Sequence, residues 1–557
     1  MLLFRVFSIP VRFFIALLIY FSWGPLAGGV VTAPVPEFSS PALIPYPSKV
    51  VRGAGEAGFR SVHVKVGPDV PGRDDLMREI KDIFRTSGIQ GSLNSGGAAE
   101  GAMTWELFPD ARMKGEGYDL SVGLGKATVR AGSFGGFFNA LQTLRQLVFN
   151  REGEFAMPVV RISDKPAFVL RGIMLDVGRY YMSPALIKEV MRRLSRYKIN
   201  TLHLHLTDDP AWRLEVKKYP ALTDGAFHWK SRLPGRFYTQ AQLKDLTDYC
   251  ARLNIQVIPE IDMPGHSQPF ARAMKTGMQT EKGVSILKDV VDEAVSLFPG
   301  RFFHMGSDEA HIFMKDFIPR MAEHIRGKGK EVVVWSPGGP HDKDSVLMCW
   351  GENEAGARMD KNMKRIDSNG FYIDWADSQS GVYQVFFQQP CEVPQGDDKA
   401  LGAIMPVWCD GNLSSERRVL EQYPFYPCAL TFAERVWRGS ATKRRDYMAQ
   451  LPPRGTDGWK EFREFEQRLA FHRDHFFQGV PFAYVKQADV AWSLVGPFDH
   501  RGKNDTSFEP ERRIAPSYRD GDRILAWKKT PVYGAAVHVR HLFAMFNMHR
   551  NQYRTDH

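Results

Sequence analysis

The sequence predicts an α/β protein: a (β/α)8 barrel of the TIM type preceded by a small α+β domain. A short C-terminal extension with β patterning follows. Three observations lead there. Beyond Pro166 apolar strands alternate with amphipathic helices, the rhythm of parallel strands joined by crossover helices. Eight such strands fall between Val169 and Trp408, the number a closed barrel needs. Polar or aromatic residues stand at the C-terminal tip of nearly every strand, the end at which such barrels carry their sites. A doubly wound open sheet is the alternative, but no glycine-rich phosphate loop follows a strand.

In chain order the expected strands are Val169–Val177, Thr201–Leu206, Ile255–Ile261, Arg301–Gly306, Glu331–Trp335, Val346–Trp350, Phe371–Asp374 and Leu401–Trp408. Helical spacing marks Pro184–Tyr197, Thr239–Leu253, Val284–Phe298 and Phe313–Lys328 between them. Arg454–Phe477 reads as a charged amphipathic helix closing a barrel domain of residues 165–478. Residues 44–160 mix strands and helices. Ser61–Val66 alternates as a strand does, Asp74–Arg85 and Gly135–Phe149 have helical spacing, and Gly117–Val122 and Lys126–Ala131 pair across a Gly-containing turn. Nothing in that domain looks catalytic. After Val480, short strand-like runs around Tyr484, Trp492 and Val537 fit part of a β-sandwich, although residues 480–557 are few for a complete one.

The N-terminus has Arg5 and Arg12, the uncharged run Phe13–Phe21, then Pro25 and Ala27-Gly28-Gly29. That order is the signature of an export signal over residues 1–31, with a retained membrane anchor as the alternative. Residues 32–43 are rich in Pro and Ser and read as a linker. The expected location is therefore periplasmic or extracellular. Across 557 residues the composition is 43% apolar and 24% charged, ordinary for a soluble globular protein. The net charge of +10 comes from basic residues scattered among acids, and no basic-aromatic array argues for nucleic acid. Five cysteines show no CxxC spacing, which argues against zinc or a disulfide framework and for small buried apolar residues.

The strand tips collect Asp176 and Arg179, Asp208 and Asp209, Glu260 with Asp262 and His266, Asp308 and Glu309, Trp335, Trp350, Tyr372 with Asp374, and Trp408 with Asp410. Acids, an Arg, a His, a Tyr and three Trp, with no phosphate or metal motif, match a carbohydrate site that needs no cofactor. Aromatic faces stack on pyranose rings while carboxylates and Arg hydrogen-bond hydroxyls. Asp308 and Glu309 are adjacent, so their side chains diverge and suit different roles. An exposed Asp-Glu pair at a helix start is the plainer alternative for those two alone. His203 and His205 alternate on the second strand and are either packed beneath the mouth or face substrate. No second cluster in the sequence completes a metal shell around them.

On these residues the chain resembles the β-N-acetylhexosaminidases of glycoside hydrolase family 20, from about Ile44 to about Gly439. Arg171-Gly172-Ile173-Met174-Leu175-Asp176-Val177-Gly178-Arg179 is similar to the first-strand motif, and His203-Leu204-His205-Leu206-Thr207-Asp208-Asp209 to the second. Val257 through His266 is close to the third-strand signature, and His304-Met305-Gly306-Ser307-Asp308-Glu309 to the signature ending in the catalytic pair. Phe432-Ala433-Glu434-Arg435-Val436-Trp437 fits the segment closing the barrel. The resemblance implies hydrolysis assisted by the substrate's own 2-acetamido group, one of the exceptions to the two-carboxylate scheme. It makes Glu309 the general acid and base, Asp308 the residue orienting the acetamido group, and Tyr372 the one holding its oxygen. Trp335, Trp350 and Trp408 wall the pocket, and Arg179 and Asp410 bind hydroxyls on the far side of the sugar. Asp208, His266 and Asp374 complete the expected substrate contacts. An acid role asks for a raised Glu309 pKa, which burial beside Asp308 would supply.

The chain departs from the family pattern in three places. Leu204 stands between the two His where Trp is usual, and Pro210 stands where Gln follows the acids. Asp410 replaces the common Glu, and the connection from His266 to Val284 is short. These leave substrate preference open. Two further readings also stay open: a carbohydrate-binding barrel without turnover, and a two-carboxylate glycosidase pairing Glu260 with Glu309. The expected partner is an oligosaccharide or glycoconjugate, with no nucleic acid.

Overall fold

A computed structural model describes residues 41–94, 98–151, 153–351, 359–373, 380–411, 413–441, 455–482 and 484, and the backbone of 518–520 and 523–525. Residues 1–31, where an export signal is expected, and most of the expected C-terminal extension lie outside these residues. Within that extension Tyr518–Asp520 pairs antiparallel with Arg523–Leu525. Among the described residues no helix is long and apolar enough to cross a membrane.

The N-terminal domain is an eight-stranded mixed sheet in which Lys49–Phe59 and Ser61–Val66 are well separated, the former next to Glu154–Asp164 and the latter between Ala102–Pro109 and Gln90–Leu93. The expected pair Tyr118–Gly123 and Lys126–Ala131 is present and antiparallel. Tyr118, Leu120 and Val122 are buried while Asp119 and Ser121 are exposed, so one face of the sheet packs and the other meets water. Helices Arg73–Ser87 and Phe134–Leu147 accompany the sheet, the second started by Ser133, whose hydroxyl accepts from the Gly136 amide.

Eight parallel strands then close a barrel in sequential order. They are β1 (Leu170–Asp176), β2 (Thr201–His205), β3 (Gln256–Glu260), β4 (Phe302–His304), β5 (Glu331–Ser336), β6 (Val346–Cys349), β7 (Lys364–Asp367) and β8 (Ala400–Val407). β8 pairs with β1 to seal the ring. Nearly every strand residue is buried, as parallel strands covered on both faces require. Helix starts follow local chemistry. Ser183 caps Pro184–Ser195, Thr239 and Gln242 form a capping box on Gln240–Ala251, and Thr280 caps Glu281–Leu297. No helix occurs in residues 337–345 between β5 and β6.

One strand expectation is corrected. The seventh strand is Lys364–Asp367, and Phe371-Tyr372-Ile373 follow it as loop. Lys-Arg-Ile-Asp has no apolar run to announce it, yet Arg365 and Asp367 are both buried, and Asp367 Oδ2 accepts from the Cys391 amide at 2.9 Å. β4 is also shorter than Arg301–Gly306, because Gly306 and Ser307 turn at positive φ. All five cysteines are buried.

The two domains are joined by a buried polar node. Asp164, the last residue of the N-terminal sheet, accepts from Lys198 Nζ at 3.0 Å, Tyr118 Oη at 2.8 Å and Trp437 Nε1 at 3.0 Å. A second node has Arg468 of helix Asp457–Phe476 donating to Glu434 and to the Leu43 carbonyl.

Candidate active site

The site is built at the C-terminal end of the barrel, starting from its floor. Glu260 at the tip of β3 is fully buried, with Oε1 accepting from Trp335 Nε1 at 2.7 Å and Oε2 2.7 Å from His205 Nδ1. His203 Nε2 and His304 Nδ1 lie 2.9 and 3.2 Å from the same carboxylate. The second-strand histidines are therefore packed beneath the mouth. Burial opposes charge on Glu260, but His205 and His304 outweigh it and hold the carboxyl well below its ordinary range. His203, Glu260 and His304 bring three ligand-type atoms within 4.8 Å, a grouping that strand spacing alone did not reveal. His203 and His304 stack at 4.8 Å between ring centroids.

His205 Nε2 reaches Asp208 Oδ2 at 2.8 Å, and from Asp208 two branches reach the mouth. In one, Asp208 Oδ2 pairs with Arg179 at 3.0 Å. Arg179 also contacts Asp176 at 3.1 Å and Asp410 at 3.2 Å, and its guanidinium lies 4.8 Å from the Trp408 ring centre. In the other, Asp208 Oδ1 stands 3.4 Å from His266 Nδ1, whose Nε2 is 3.4 Å from Glu309 Oε2. Burial works against charge on His266, but its hydrogen bonds to Asp208 and Glu309 overcome this and push its pKa up to about 12.

Asp308 and Glu309 leave β4 through a strained turn. Ser307 and Glu309 both have positive φ, of 88° and 47°, and so does His266 at 45°. Such residues cost on the order of 1–3 kcal/mol each and persist only where the surroundings over-determine them. Asp262 supplies part of that determination, its Oδ1 accepting from the Ser307 amide at 3.2 Å. The two acids then meet different surroundings. Asp308 is partly buried, and burial followed by the nearby Asp262 carboxyl raises its pKa well above the carboxylate range. Glu309 leaves 56% of its side chain open, and the His266 hydrogen bond lowers its pKa. The expectation that burial raises Glu309 is thus corrected: in the unliganded protein the raised acid is Asp308, because Glu309 faces an imidazolium and water.

Trp335 is buried, its ring centre 5.7 Å from that of half-buried Trp408, and the Tyr372 ring lies 6.5 Å from the same Trp408. Trp350 is half-buried and donates to the Pro337 carbonyl at 2.8 Å. Asp410 is partly exposed, and its pKa is raised by burial against the pull of Arg179. Asp374 lies outside the described residues. The structure therefore joins Glu309, Asp308, Arg179, Asp208, His266, Trp335, Trp408, Tyr372 and Asp410 through contacts around one mouth, with Trp350 beside it.

The sequence reading missed Arg213 and Arg232, buried guanidiniums that hold the surrounding loops through backbone carbonyls. Nothing in the sequence separates them from surface arginines, since their partners are carbonyls of distant loops.

A parallel eight-stranded barrel with carboxylates and tryptophans around the C-terminal mouth places the chain in the class of carbohydrate-active barrels. Comparison narrows the class. The model for the catalytic domain of glycosyl hydrolase family 20 matches residues 168–283, and that for domain 2 of the same family matches residues 40–165. A beta-N-acetylhexosaminidase of Cellulomonas fimi is 30% identical over 454 residues, covering 72% of this chain and 86% of that protein. The chain belongs to glycosyl hydrolase family 20. A beta-hexosaminidase of Porphyromonas gingivalis is 31% identical over 408 residues, and there the match spans only 52% of the relative's length. For the Vibrio furnissii beta-hexosaminidase the span is 63%. Among solved structures, the Streptomyces plicatus beta-hexosaminidase superposes with a TM-score of 0.66 at 24% identity, covering 80% of this chain and 97% of that one. The exo beta-N-acetylglucosaminidase of Vibrio harveyi gives 0.65 at 22%, covering 80% and 78%. Both share the fold.

Proposed function

We propose that the protein is an exo-acting retaining glycosidase that releases terminal β-linked N-acetylglucosamine or N-acetylgalactosamine with the help of the substrate's own acetamido group. The observation that carries this reading is the Asp308–Glu309 tip. Two adjacent carboxyl groups sit in opposite electrostatic surroundings, close to Trp335 and Trp408. In the first step the acetamido oxygen attacks the anomeric carbon as the glycosidic bond breaks, and Glu309 delivers to the leaving oxygen the proton that it shares with His266. Asp308 orients the acetamido group through its N–H and stabilises the positive charge that develops on the oxazolinium ring. Tyr372 holds the acetamido oxygen in line. In the second step Glu309, now a carboxylate, takes a proton from water as it opens the ring, which restores the β configuration. Arg179 and Asp410 bind hydroxyls on the far side of the sugar.

Two features favour this scheme over a carboxylate nucleophile. Glu260, the other candidate acid, is fully buried with both oxygens engaged by Trp335 and His205. Asp308 is the chain neighbour of Glu309 rather than a carboxylate on a separate strand. The natural substrate is an oligosaccharide or glycoconjugate, reached after export to the periplasm or the cell exterior by the N-terminal segment. Comparing the mature N-terminus of the exported protein with Met1 tests the export reading.

Nitrophenyl β-GlcNAc, β-GalNAc and β-glucoside conjugates test the activity. Release from the two acetamido sugars but not from the glucoside is expected. Glu309→Gln should lower kcat on the order of 10²- to 10⁴-fold. Equal hydrolysis by wild type and Glu309→Gln would overturn the acid assignment, and cleavage of the glucoside would overturn acetamido assistance.

A further inference from the structure

Arg213 and Arg232 form a relay of buried guanidiniums behind the Arg179–Asp410 ion pair. Arg213 is fully buried and donates only to main-chain oxygens. Its Nε lies 3.1 Å from the Val177 carbonyl, its Nη1 2.9 and 2.7 Å from those of Leu233 and Arg236, and its Nη2 2.6 Å from that of Arg232 itself. Arg232, also buried, passes the tie onward. Its Nη1 donates to the carbonyls of Cys409 at 2.8 Å and Gly411 at 2.9 Å, and its Nη2 to that of Asp410. One end of the relay thus fixes the backbone just before Arg179, after β1. The other end fixes the three residues centred on Asp410, after β8.

Among the described residues neither guanidinium lies in a salt bridge, and the hydrogen bonds of both go to main-chain carbonyls. Burying a cation that way is expensive, and Arg213 shows the expense in a pKa lowered by burial to about 10. A rigid planar fork that reaches several carbonyls at once is what arginine offers and lysine does not. Across the site the same two loops are joined on their inner side, where Arg179 Nε meets Asp410 Oδ1 at 3.2 Å and the Cys409 amide donates to Asp176 at 3.0 Å. Asp410 is held from behind through its backbone and from the front through its side chain.

We infer that Arg232, backed by Arg213, is a positioning residue that sets the Asp410 carboxylate against the sugar's far hydroxyls and thereby fixes which hydroxyl configuration the pocket accepts. This rests on the proposed glycosidase reading, because it assigns Asp410 to substrate. The segment carrying Arg232 is not part of any barrel strand, so its effect on Asp410 is a property of this loop rather than of the barrel.

The test is a double-mutant cycle of Arg232→Ala with Asp410→Ala, read by KM and kcat on the GlcNAc and GalNAc conjugates. Arg232→Ala is expected to raise KM on the order of tenfold, with a smaller change in kcat. The GlcNAc-to-GalNAc ratio of kcat/KM should shift several-fold, and Arg232→Lys should fail to restore it. In the Asp410→Ala background, removing Arg232 should add little. A merely structural role would lower the folded fraction, and so apparent kcat, while KM and the ratio stayed at wild-type values; that result overturns the inference. Additive effects in the cycle overturn it too. A crystal structure of Arg232→Ala gives a readout independent of turnover: the 409–411 backbone displaced and the Arg179–Asp410 pair lost is expected, and an unmoved loop counts against the proposal. Wild-type inactivity on every conjugate would instead remove the glycosidase reading, leaving the loop displacement to decide the structural half.

Discussion

Asp308 and Glu309 are consecutive in the chain, yet their carboxyl groups are pushed in opposite directions. Burial and Asp262 raise Asp308, while the His266 hydrogen bond lowers Glu309. Glu309 has a left-handed backbone, and its Oε2 stands 3.4 Å from His266 Nε2. The two neighbouring acids thus meet different surroundings, which suits a division of labour between them.

The first prediction concerns pH. His266 and Glu309 act as a coupled pair holding one proton, which rests on His266 because its pKa is pushed up to about 12. The pair therefore keeps a proton available to the leaving group well past neutrality. With His266→Ala, Glu309 loses the partner that lowered its pKa, so its own value rises toward that of an ordinary carboxylate. The pair's reserve proton is lost at the same time. The basic limb of kcat/KM should fall from above neutrality to roughly pH 4–5, where a lone Glu titrates. A pH–rate profile of the two proteins measures this, and an unmoved limb would show that His266 does not share the catalytic proton.

Asp308→Asn should separate activity from stability. A carboxyl whose pKa is raised on folding contributes stability below its unfolded pKa, and that contribution disappears as pH rises through the folded value. Asparagine imitates the neutral acid without that loss. At pH 8 the variant should melt no lower than wild type while hydrolysing the β-GlcNAc conjugate at least about 10²-fold more slowly, the scale of one lost electrostatic stabiliser. Thermal melts at pH 5 and pH 8 check the first half, and the stability gap should shrink at the lower pH.

Gly306→Ala should dismantle the tip. Gly306 has φ of +68°, and a Cβ there would stand 1.8 Å from Asp262 Oδ1. Relief requires Asp262 to move, which releases the Ser307 amide it accepts from. A loss of several kcal/mol in stability, or activity lost with the fold retained, is expected from strain of this kind. Denaturant unfolding beside an activity assay distinguishes the two.

The joint between the domains is tested at Asp164. Lys198 is fully buried, and its pKa is lowered by desolvation despite Asp164. Asp164→Ala strands that ammonium and also removes the acceptor of Tyr118 and Trp437. Removing one partner of a buried pair costs about 3–5 kcal/mol. Urea unfolding should show a midpoint lowered accordingly, and a midpoint unchanged would mean the joint is not held there.

Much of the architecture is legible in the residues. Seven of the eight strands announce themselves as apolar runs, because parallel strands are buried on both faces and need continuous Val, Ile and Leu. The seventh is hidden because Arg365 and Asp367 are charged yet buried, Arg365 donating to the Lys361 carbonyl and Asp367 accepting from the Cys391 amide. The acids and tryptophans of the mouth are legible for the same reason as the strands, since each stands directly where a run of apolar residues stops.

What the sequence by itself determined is the barrel, its order and the identity of the groups at its mouth, all properties of local pattern and of spacing along the chain. Only the tertiary structure decided their electrostatics. Glu309 is lowered and Asp308 raised because of what lies within a few ångströms across space, from strands β2 and β3 and the loops after them. The same holds for Glu260, which sinks beneath the pocket under three histidines, and for Arg232, whose partners lie far along the chain. Periodicity reports which face a side chain takes; the partner waiting on that face comes from folding.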